Sequence, residues 1–323
     1  MGDIRRKSKY KLPTDRSYLL CDKIEQFPEI IVSIIVPTFN SAVYLKRALD
    51  SIMMQTYQSW EAIIIDNYSS DNTDQILSSF TDIRFSKFKV NNGGSIALSR
   101  NKGIHSARGE WIAFLDSDDE WDPFKLERIS KYFIDDVDFI YHDMKIIHHE
   151  LSSEKIYHFK SRQVRKPVLM DLLVNGNTIS TSSVITRKSI FSKIGEMNES
   201  LSLAGTSDFN TWLKIARLTD NFKYHSEFLG SYRRHSQNTS ETIPKTLPWS
   251  AMEEFLQEIS NSQRRLITNN YIYSVGRLNY LNRDYREACD HLALIIKNGT
   301  IIQKVKSIFM VFSIRISMMF GKS

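Results

Sequence analysis

Asp116, Asp118 and Asp119 place three carboxylates within four residues, at the point where the apolar run 111–115 stops. Charges this close repel one another unless a cation or a hydrogen-bond network compensates them. Hard divalent cations such as Mn2+ and Mg2+ prefer oxygen ligands and bridge to substrate phosphates, so the cluster reads as a metal and diphosphate site. A solvated turn capping the helix that begins near Pro123 is the alternative, since Asp is common in turns and at caps. Other chemistries find no support. There is no G-x-G-x-x-G, the terminal Gly-Lys-Ser lacks the upstream glycine and strand of a P-loop, and His142, His148 and His149 show no coherent ligand pattern.

The elements around the cluster can be read from periodicity. A short apolar run bounded by turn formers is a strand buried on both faces, and its C-terminal end lies at the rim where open α/β folds bind ligands. Upstream, residues 30–36 form a β-branched strand stopped by Pro37. A helix over 45–53 follows, then a strand over 60–65, and a polar loop 66–73 that N-caps a short helix through Phe80. A strand over 83–88, a turn at 91–95 and a helix to about Ala107 precede the acidic strand. A helix over 123–132 and a strand over 137–141 come after it. This alternation predicts an α/β fold with a mostly parallel central sheet and helices on both faces.

Beyond 141 the alternation fades. Residues 172–185 read as loops and short strands, and a helix starts just after Asp208. From 251 the texture is helical, and 270–298 is similar to a single tetratricopeptide-type hairpin. Gly276 and Ala288 stand at that repeat's small-residue spacing, and Asn298-Gly299 forms a stop. A helical pair packed on the domain before it is the other reading. The expected division is a basic arm at 1–29, a catalytic domain at 30–245, a helical hairpin region at 246–299 and an amphipathic helix at 300–323.

A chain of 323 residues with 41% hydrophobic content can bury a substantial core, and its net charge of +6 points to anionic partners. Cys21 and Cys289 match no zinc spacing, so disulfides are not expected and a reducing compartment fits. No secretory signal or membrane span is legible, which makes a cytoplasmic location the expectation. In the last segment Ile301, Val305, Ile308, Phe312, Ile316 and Met319 recur at spacings of four and three. Lys304, Arg315 and Lys322 lie along one edge of that face, with Lys306 on the other. Such a helix suits an anionic membrane surface, although Met310, Ile314 and Met318 on its opposite side would suit burial against the hairpin. A nucleic-acid partner has only the net charge behind it and is not expected.

VSIIVPTFN (32–40), IIIDNYSSDNT (63–73), SRNKGI (99–104), FLDSDDEW (114–121) and SDFNTWL (207–213) occur in one order and at one set of spacings. Together they resemble the family-2, inverting glycosyltransferases of GT-A fold, of the bacterial surface-polysaccharide type, over about residues 31–240. The resemblance implies a nucleotide-sugar donor, usually a UDP-sugar, with Mn2+ or Mg2+ on its diphosphate. Asp118 matches the principal metal ligand, and Asp116 contacts the ribose or the metal through water. Asp119 is either a group that supports the metal site from behind or a helix cap, and the cap is preferred. Pro37, Thr38 and Asn40 fall where the nucleoside binds. Asp66 and Asn67 occupy the paired-acid positions, with Asn67 standing where an acid is commoner. Arg100 is a candidate contact to the diphosphate or sugar, and Tyr68 stacks on the base or covers it. Asp208 takes the catalytic-base position, with Ser207 replacing the usual Glu and Trp212 four residues on. The segment 231–240 resembles the stretch that closes over the diphosphate, which makes Arg233 a donor contact and His235 a candidate metal ligand. The acceptor implied is a glycan or lipid-linked oligosaccharide, reached from a peripheral position at the inner face of the cytoplasmic membrane. The alternatives are a nucleotidyltransferase on a similar sheet, which would want a glycine-rich basic signature near the first strand, and a non-catalytic nucleotide-sugar-binding homologue.

Overall fold

The β-branched run becomes strand β1 (Val32–Thr38), paired in parallel with β2 (Trp60–Asp66) on one side and β4 (Trp111–Phe114) on the other; β3 (Phe85–Lys89) lies parallel to β2. In this computed structural model residues 29–148, 156–235 and 249–319 are described, so the expected arm at 1–29 falls almost wholly outside the described residues. Every residue of β1, β2 and β4 is buried. Alternate side chains feed two cores: Val32, Ile34 and Val36 enter one, and Ile35 the other. That two-sided burial is why these strands read as unbroken apolar runs.

Strand β1 does not stop at Pro37, which pairs with Ile65. Ile35 accepts a hydrogen bond from the Leu115 amide on the β4 side, whereas Thr38 accepts one from Asn67 on the β2 side. Pro37 shares the parity of Ile35, and β4 has already ended at Phe114. Its missing N–H therefore faces a position where no strand needs a donor. Helices α1 (Ala42–Met53), α2 (Thr73–Ser79) and α3 (Ile96–Ser106) supply the crossovers of this parallel half, and α4 (Lys125–Ser130) follows the acidic strand.

Past β4 the sheet becomes mixed. It gains β5 (Glu120–Trp121), β6 (Phe139–His148), β7 (Ile156–Phe159), β8 (Ile185–Arg187) and β9 (Phe222–Arg234). The order is β3-β2-β1-β4-β8-β6-β9-β5, with β7 on β6. Strand β8 is antiparallel to β4 and to β6, β9 is parallel to β6, and β5 is antiparallel to β9. The α/β architecture is as expected, with the unbroken parallel run confined to its first half and one parallel pair, β6 with β9, in the second. Helix α5 (Val168–Asn175) takes in residues 172–175, the start of the stretch where loops were expected. Val168, Leu172 and Leu173 bury one of its faces, and the polar run just beyond it had masked that short period.

Two helices complete this core. They are α6 (Ser189–Ile194) and α7 (Ser207–Leu218), the latter anchored by fully buried Trp212 against Phe114 and Phe139. Then α8 (Trp249–Met252) leads into a hairpin of α9 (Asn261–Asn282) and α10 (Tyr285–Asn298), followed by α11 (Ile301–Met319). A Cβ on Gly276 would lie 3.0 Å from the Cβ of His291, so the small residue permits the close approach of α9 and α10. Asn270 donates to the Val174 carbonyl, which ties the hairpin to α5. No described helix is long and apolar enough to cross a membrane.

Candidate active site

At the C-terminal ends of β1, β2 and β4 a cavity of about 740 Å³ opens. Pro37, Thr38, Asn67, Arg100, Asp116, Asp118 and Asp208 all line it; Asn40, Asp66, Arg233 and His235 do not. The parallel half contributes the first six through chain reversals at one rim. Asp208 arrives from the first turn of α7, one turn before the Trp212 anchor.

The acidic loop is braced from beneath. Asp119 is buried and caps no helix: one of its oxygens accepts from Ser182 Oγ at 2.5 Å, and the other accepts from the Arg233 amide at 3.1 Å. This corrects its reading as a cap, since Asp122 accepts from the amide that precedes α4. Ser182 is a hub. Its Oγ also accepts from the Asp116 amide, and its carbonyl accepts from Trp121 Nε1 and from Lys125 Nζ, each at 2.8 Å. Lys125 is fully buried, with its ammonium 3.6 Å from the Trp121 ring centroid. Burial, with Asp118 and Asp116 nearby, raises the Asp119 pKa well above the carboxylate range, while burial lowers that of Lys125. Next to Ser182, Thr181 Oγ1 donates to Asp208 Oδ2 at 2.9 Å. One 3-10 turn, Thr181–Ser183, thus holds the acidic loop and Asp208 through consecutive residues. Ser182→Ala strips a buried carboxyl of a partner, and a loss of about 1–3 kcal/mol in unfolding free energy is expected. Chemical denaturation checks it, and an unchanged midpoint would show that the hub carries no stability.

Arg100 Nη2 donates to Asp116 Oδ1 at 2.7 Å, with the arginine side chain 5% and the carboxylate 28% exposed. Burial and Asp118 push the Asp116 pKa up, against the pull of Arg100. Arg100 Nε and Thr38 Oγ1 are buried polar atoms with no hydrogen-bond partner among the described residues, and both residues line the cavity. Such atoms on a cleft wall are what a polar ligand would satisfy.

His235 Nε2 lies 3.0 Å from Asp118 Oδ2 and its ring stacks on Tyr44 at 4.5 Å between centroids. The pairing arises because β5 joins β9 in antiparallel register, Glu120 opposite Ser231, which carries the end of β9 to the acidic loop. Residues 236–240 of the expected closing segment lie outside the described residues. No group of three or more His, Cys, Asp or Glu among the described residues is arranged to hold a metal. Asp118 and His235 bring one carboxylate oxygen and one imidazole nitrogen within 3.0 Å of each other at the cavity's acidic loop. Asp116, engaged by Arg100, is turned to a different partner.

Four expected donor contacts serve the loops or hold partners of their own. Asn40, at φ 47°, accepts from the Ser70 amide and donates its own amide to Ser69 Oγ, joining the β1–α1 turn to the loop after β2. Asp71, in the same loop, accepts from the Ala42 amide at the start of α1. Asp66 accepts from the Ser69 amide and hydroxyl and is buried beneath that loop. Asn67 Oδ1 accepts from the Asn92 amide at the cavity edge. Arg233 donates to Glu120 at 2.6 Å, and Arg234, its neighbour on the opposite face of β9, lines the cavity. Thr181, Ser182, Tyr44 and Arg234 escaped the reading of the sequence. Only the small polar run 180–183 carried a signal, because its residues are out of place beside an apolar stretch.

Comparison with known proteins supplies the class to which this fold belongs. The model of the family described as Glycosyl transferase family 2 matches residues 33–195, just over half of the chain. An uncharacterised glycosyltransferase of Rickettsia prowazekii is 30% identical over 254 residues, spanning 73% of this chain and 75% of the relative. The Escherichia coli UDP-Glc:alpha-D-GlcNAc-diphosphoundecaprenol beta-1,3-glucosyltransferase WfgD is 27% identical over 233 residues, covering 71% and 88%. Among solved structures, S. aureus TarS 1-349 in complex with UDP-GlcNAc superposes with a TM-score of 0.62 at 17% identity, covering 90% of this chain and 92% of that one, a likeness of fold. The chain belongs to glycosyltransferase family 2 and is a glycosyltransferase.

Proposed function

We propose that this enzyme moves a sugar from a nucleotide-diphosphate donor, a UDP-sugar in our reading, to a hydroxyl of a glycan or lipid-linked oligosaccharide in surface-polysaccharide synthesis, with inversion at the anomeric carbon. The observation that carries the proposal is the single cavity whose walls hold Arg100, Asp116 and Asp118 together with Asp208. In this reading Asp208 accepts the proton of the acceptor hydroxyl as its oxygen attacks the sugar C1. The C1–O bond to phosphate breaks, and its electron pair leaves on the nucleotide diphosphate. Thr181 orients the carboxylate. Thr38 and Arg100, each with an unsatisfied buried atom, contact the donor, and Arg234 takes the role first expected of Arg233. Asp66 and Asn40 act by holding the rim loops, and Asn67 keeps a second lone pair for the base. A bound Mn2+ or Mg2+ would neutralise charge on the departing diphosphate, and Asp118 and His235 are the residues to hold it.

The test is UDP release from a panel of UDP-sugars, with and without Mn2+ and with EDTA. Release that depends on one sugar and on the metal is the expected result. A chain that neither binds nor turns over any nucleotide sugar would overturn the assignment in favour of a decayed homologue.

We place the enzyme at the inner face of the cytoplasmic membrane, docked through α11. The support is that Ile301, Val305, Ile308, Phe312 and Ile316 all lie exposed on one side, joined by Ile302 and Phe309. Ile314 is buried in a small core with Ala288 and Leu292, against which Met310 and Val311 also pack. The helix therefore meets the hairpin with one side and offers the other, flanked by Lys306 and Arg315, to an anionic surface. Phe309 and Phe312 are 70% and 61% exposed, so Phe309→Asp with Phe312→Asp should spare the fold. Sedimentation with phosphatidylglycerol vesicles is expected to fall at least about tenfold for that variant, the loss of two buried aromatic side chains. Wild-type protein that ignores such vesicles would sink the membrane assignment.

A further inference from the structure

Lys160, Arg162, Arg165 and Lys166 follow closely on β7, and the run 157–170 that contains them holds no acidic residue. Residues 160–167 form neither strand nor helix, yet side chains fix their backbone. The Ser161 amide donates to Asp143 Oδ1 at 2.7 Å, the Arg162 amide to Thr178 Oγ1 at 2.8 Å and the Val164 amide to the Tyr141 hydroxyl at 2.9 Å. Ser161 and Val164 are buried, while Lys160, Gln163, Arg165 and Lys166 are exposed. The segment is thus a fastened strap with its cations outside. Exposed Lys46, Lys89 and Arg128 each hold an acidic partner, whereas Lys160, Arg165 and Lys166 have none among the described residues. Two carboxylates stand close by, and both are engaged: Asp171 with Arg162, and Asp220 with the Val168 amide at 2.7 Å. Arg165 and Lys166 border, with Gln163 and Asp220, a recess of about 560 Å³ that lies apart from the active-site cavity.

The strap is tied to α11 by a short chain of contacts. It runs directly into α5, and the Val174 carbonyl near the end of that helix accepts from Asn270 Nδ2 at 2.8 Å. Asn270 Oδ1 accepts in turn from Gln303 Nε2 at 2.7 Å. Gln303 follows Ile301 and Ile302, which are 82% and 69% exposed. Eight residues make α5 about 12 Å long, so the cations and the apolar start of α11 belong to one packed unit. A lone helix lying in a bilayer surface leaves a protein able to roll about the helix axis, and a second contact removes that freedom. We infer that the strap is this second contact: it takes the phosphates of anionic phospholipids while the exposed face of α11 enters the bilayer. Arg and Lys both hold phosphate oxygens, and each one near an anionic lipid surface strengthens binding about fivefold. The recess beside Arg165 and Lys166 gives a headgroup room to reach both. This second contact rests on the placement of α11 at the membrane and adds to it a lipid preference and a fixed roll.

Sedimentation of the full-length chain with two kinds of vesicle tests the strap: phosphatidylcholine alone, and an equal mixture with phosphatidylglycerol. Lys160→Gln combined with Arg165→Gln and Lys166→Gln should weaken binding to the anionic vesicles at least about tenfold and leave binding to the neutral ones within about twofold. Lys160→Arg with Lys166→Arg keeps the charge and should bind as the wild type does. All three side chains are exposed, so the melting temperature of each variant should match that of the wild type and report that it is folded. The Phe309→Asp, Phe312→Asp variant should, by contrast, lose binding to both kinds of vesicle. A glutamine variant that binds anionic vesicles as tightly as the wild type would overturn the strap, and loss in the phenylalanine variant would then leave the placement of α11 standing. The reverse pattern, loss in the glutamine variant alone, would support the strap and count against α11. Equal loss of the glutamine variant from neutral and anionic vesicles would show that lipid charge is not what the strap reads and would overturn the inference. Wild-type chain that ignores both kinds of vesicle would overturn strap and helix together.

Discussion

Asp208→Asn is expected to lower sugar transfer by roughly two to four orders of magnitude, the range lost when a general base is removed, while UDP binding persists. The substitution is close to isosteric. Asp208 Oδ1 accepts from the Phe209 amide at 2.7 Å, which an Asn oxygen can still do. The Thr181 hydroxyl, which now donates to Oδ2, can turn to accept from the new amide. Trp212 keeps α7 in place from the buried side. The variant should therefore fold and bind donor yet lack a basic oxygen where the acceptor proton must go. The measurement is kcat with saturating donor and acceptor, alongside calorimetric UDP binding. Transfer near the wild-type rate would make Asp208 a structural residue, and lost UDP binding would make it a donor contact.

The second large effect is expected at Asp118. Asp118→Asn removes the carboxylate that pairs with His235, and with it most of the protein's attraction for a divalent cation on the diphosphate. Transfer should fall by more than about 100-fold, since even outer partners of metal ligands are worth about 10–100-fold. Mn2+ should raise the melting temperature of the wild-type chain with UDP and do little for the variant, because a ligand stabilises only what it binds. The neighbouring Asp116→Asn acts differently. It frees buried Arg100 from its ion pair, so its first consequence is disorder of the cavity wall around Arg100 rather than lost metal affinity. Wild-type transfer that is indifferent to EDTA would dispose of the metal-dependent mechanism and leave charge neutralisation to basic side chains.

Helix α11 shows how sequence pattern and tertiary packing divide the information. The four-and-three spacing of Ile301, Val305, Ile308, Phe312 and Ile316 identified one face, and that face is the exposed one. The same pattern could not say whether the opposite residues pack. Ile314 does, against Ala288 and Leu292, so the helix is half embedded in the protein. Removing it would uncover that small core, whereas charged substitutions on the exposed face change only the offered surface.

What the sequence determined by itself was whatever depends on local periodicity and on motifs near one another along the chain. The parallel strands were legible because burial on both faces makes apolar runs. The acidic loop was legible because three carboxylates at a strand end need compensation. Tertiary structure alone decided the compensation itself. Asp119 is paired by Ser182 and by a backbone amide of β9, Asp116 by Arg100, and Asp118 by His235, partners that chain reversals bring in from distant segments. It also decided between Arg233 and Arg234. Adjacent side chains on a strand point to opposite faces, so a shift of one residue in register exchanges the arginine held by Glu120 for the one at the cavity. Nothing in the one-dimensional pattern of β9 records which of its faces meets the acidic loop, because that is set by pairing of Glu120 with Ser231.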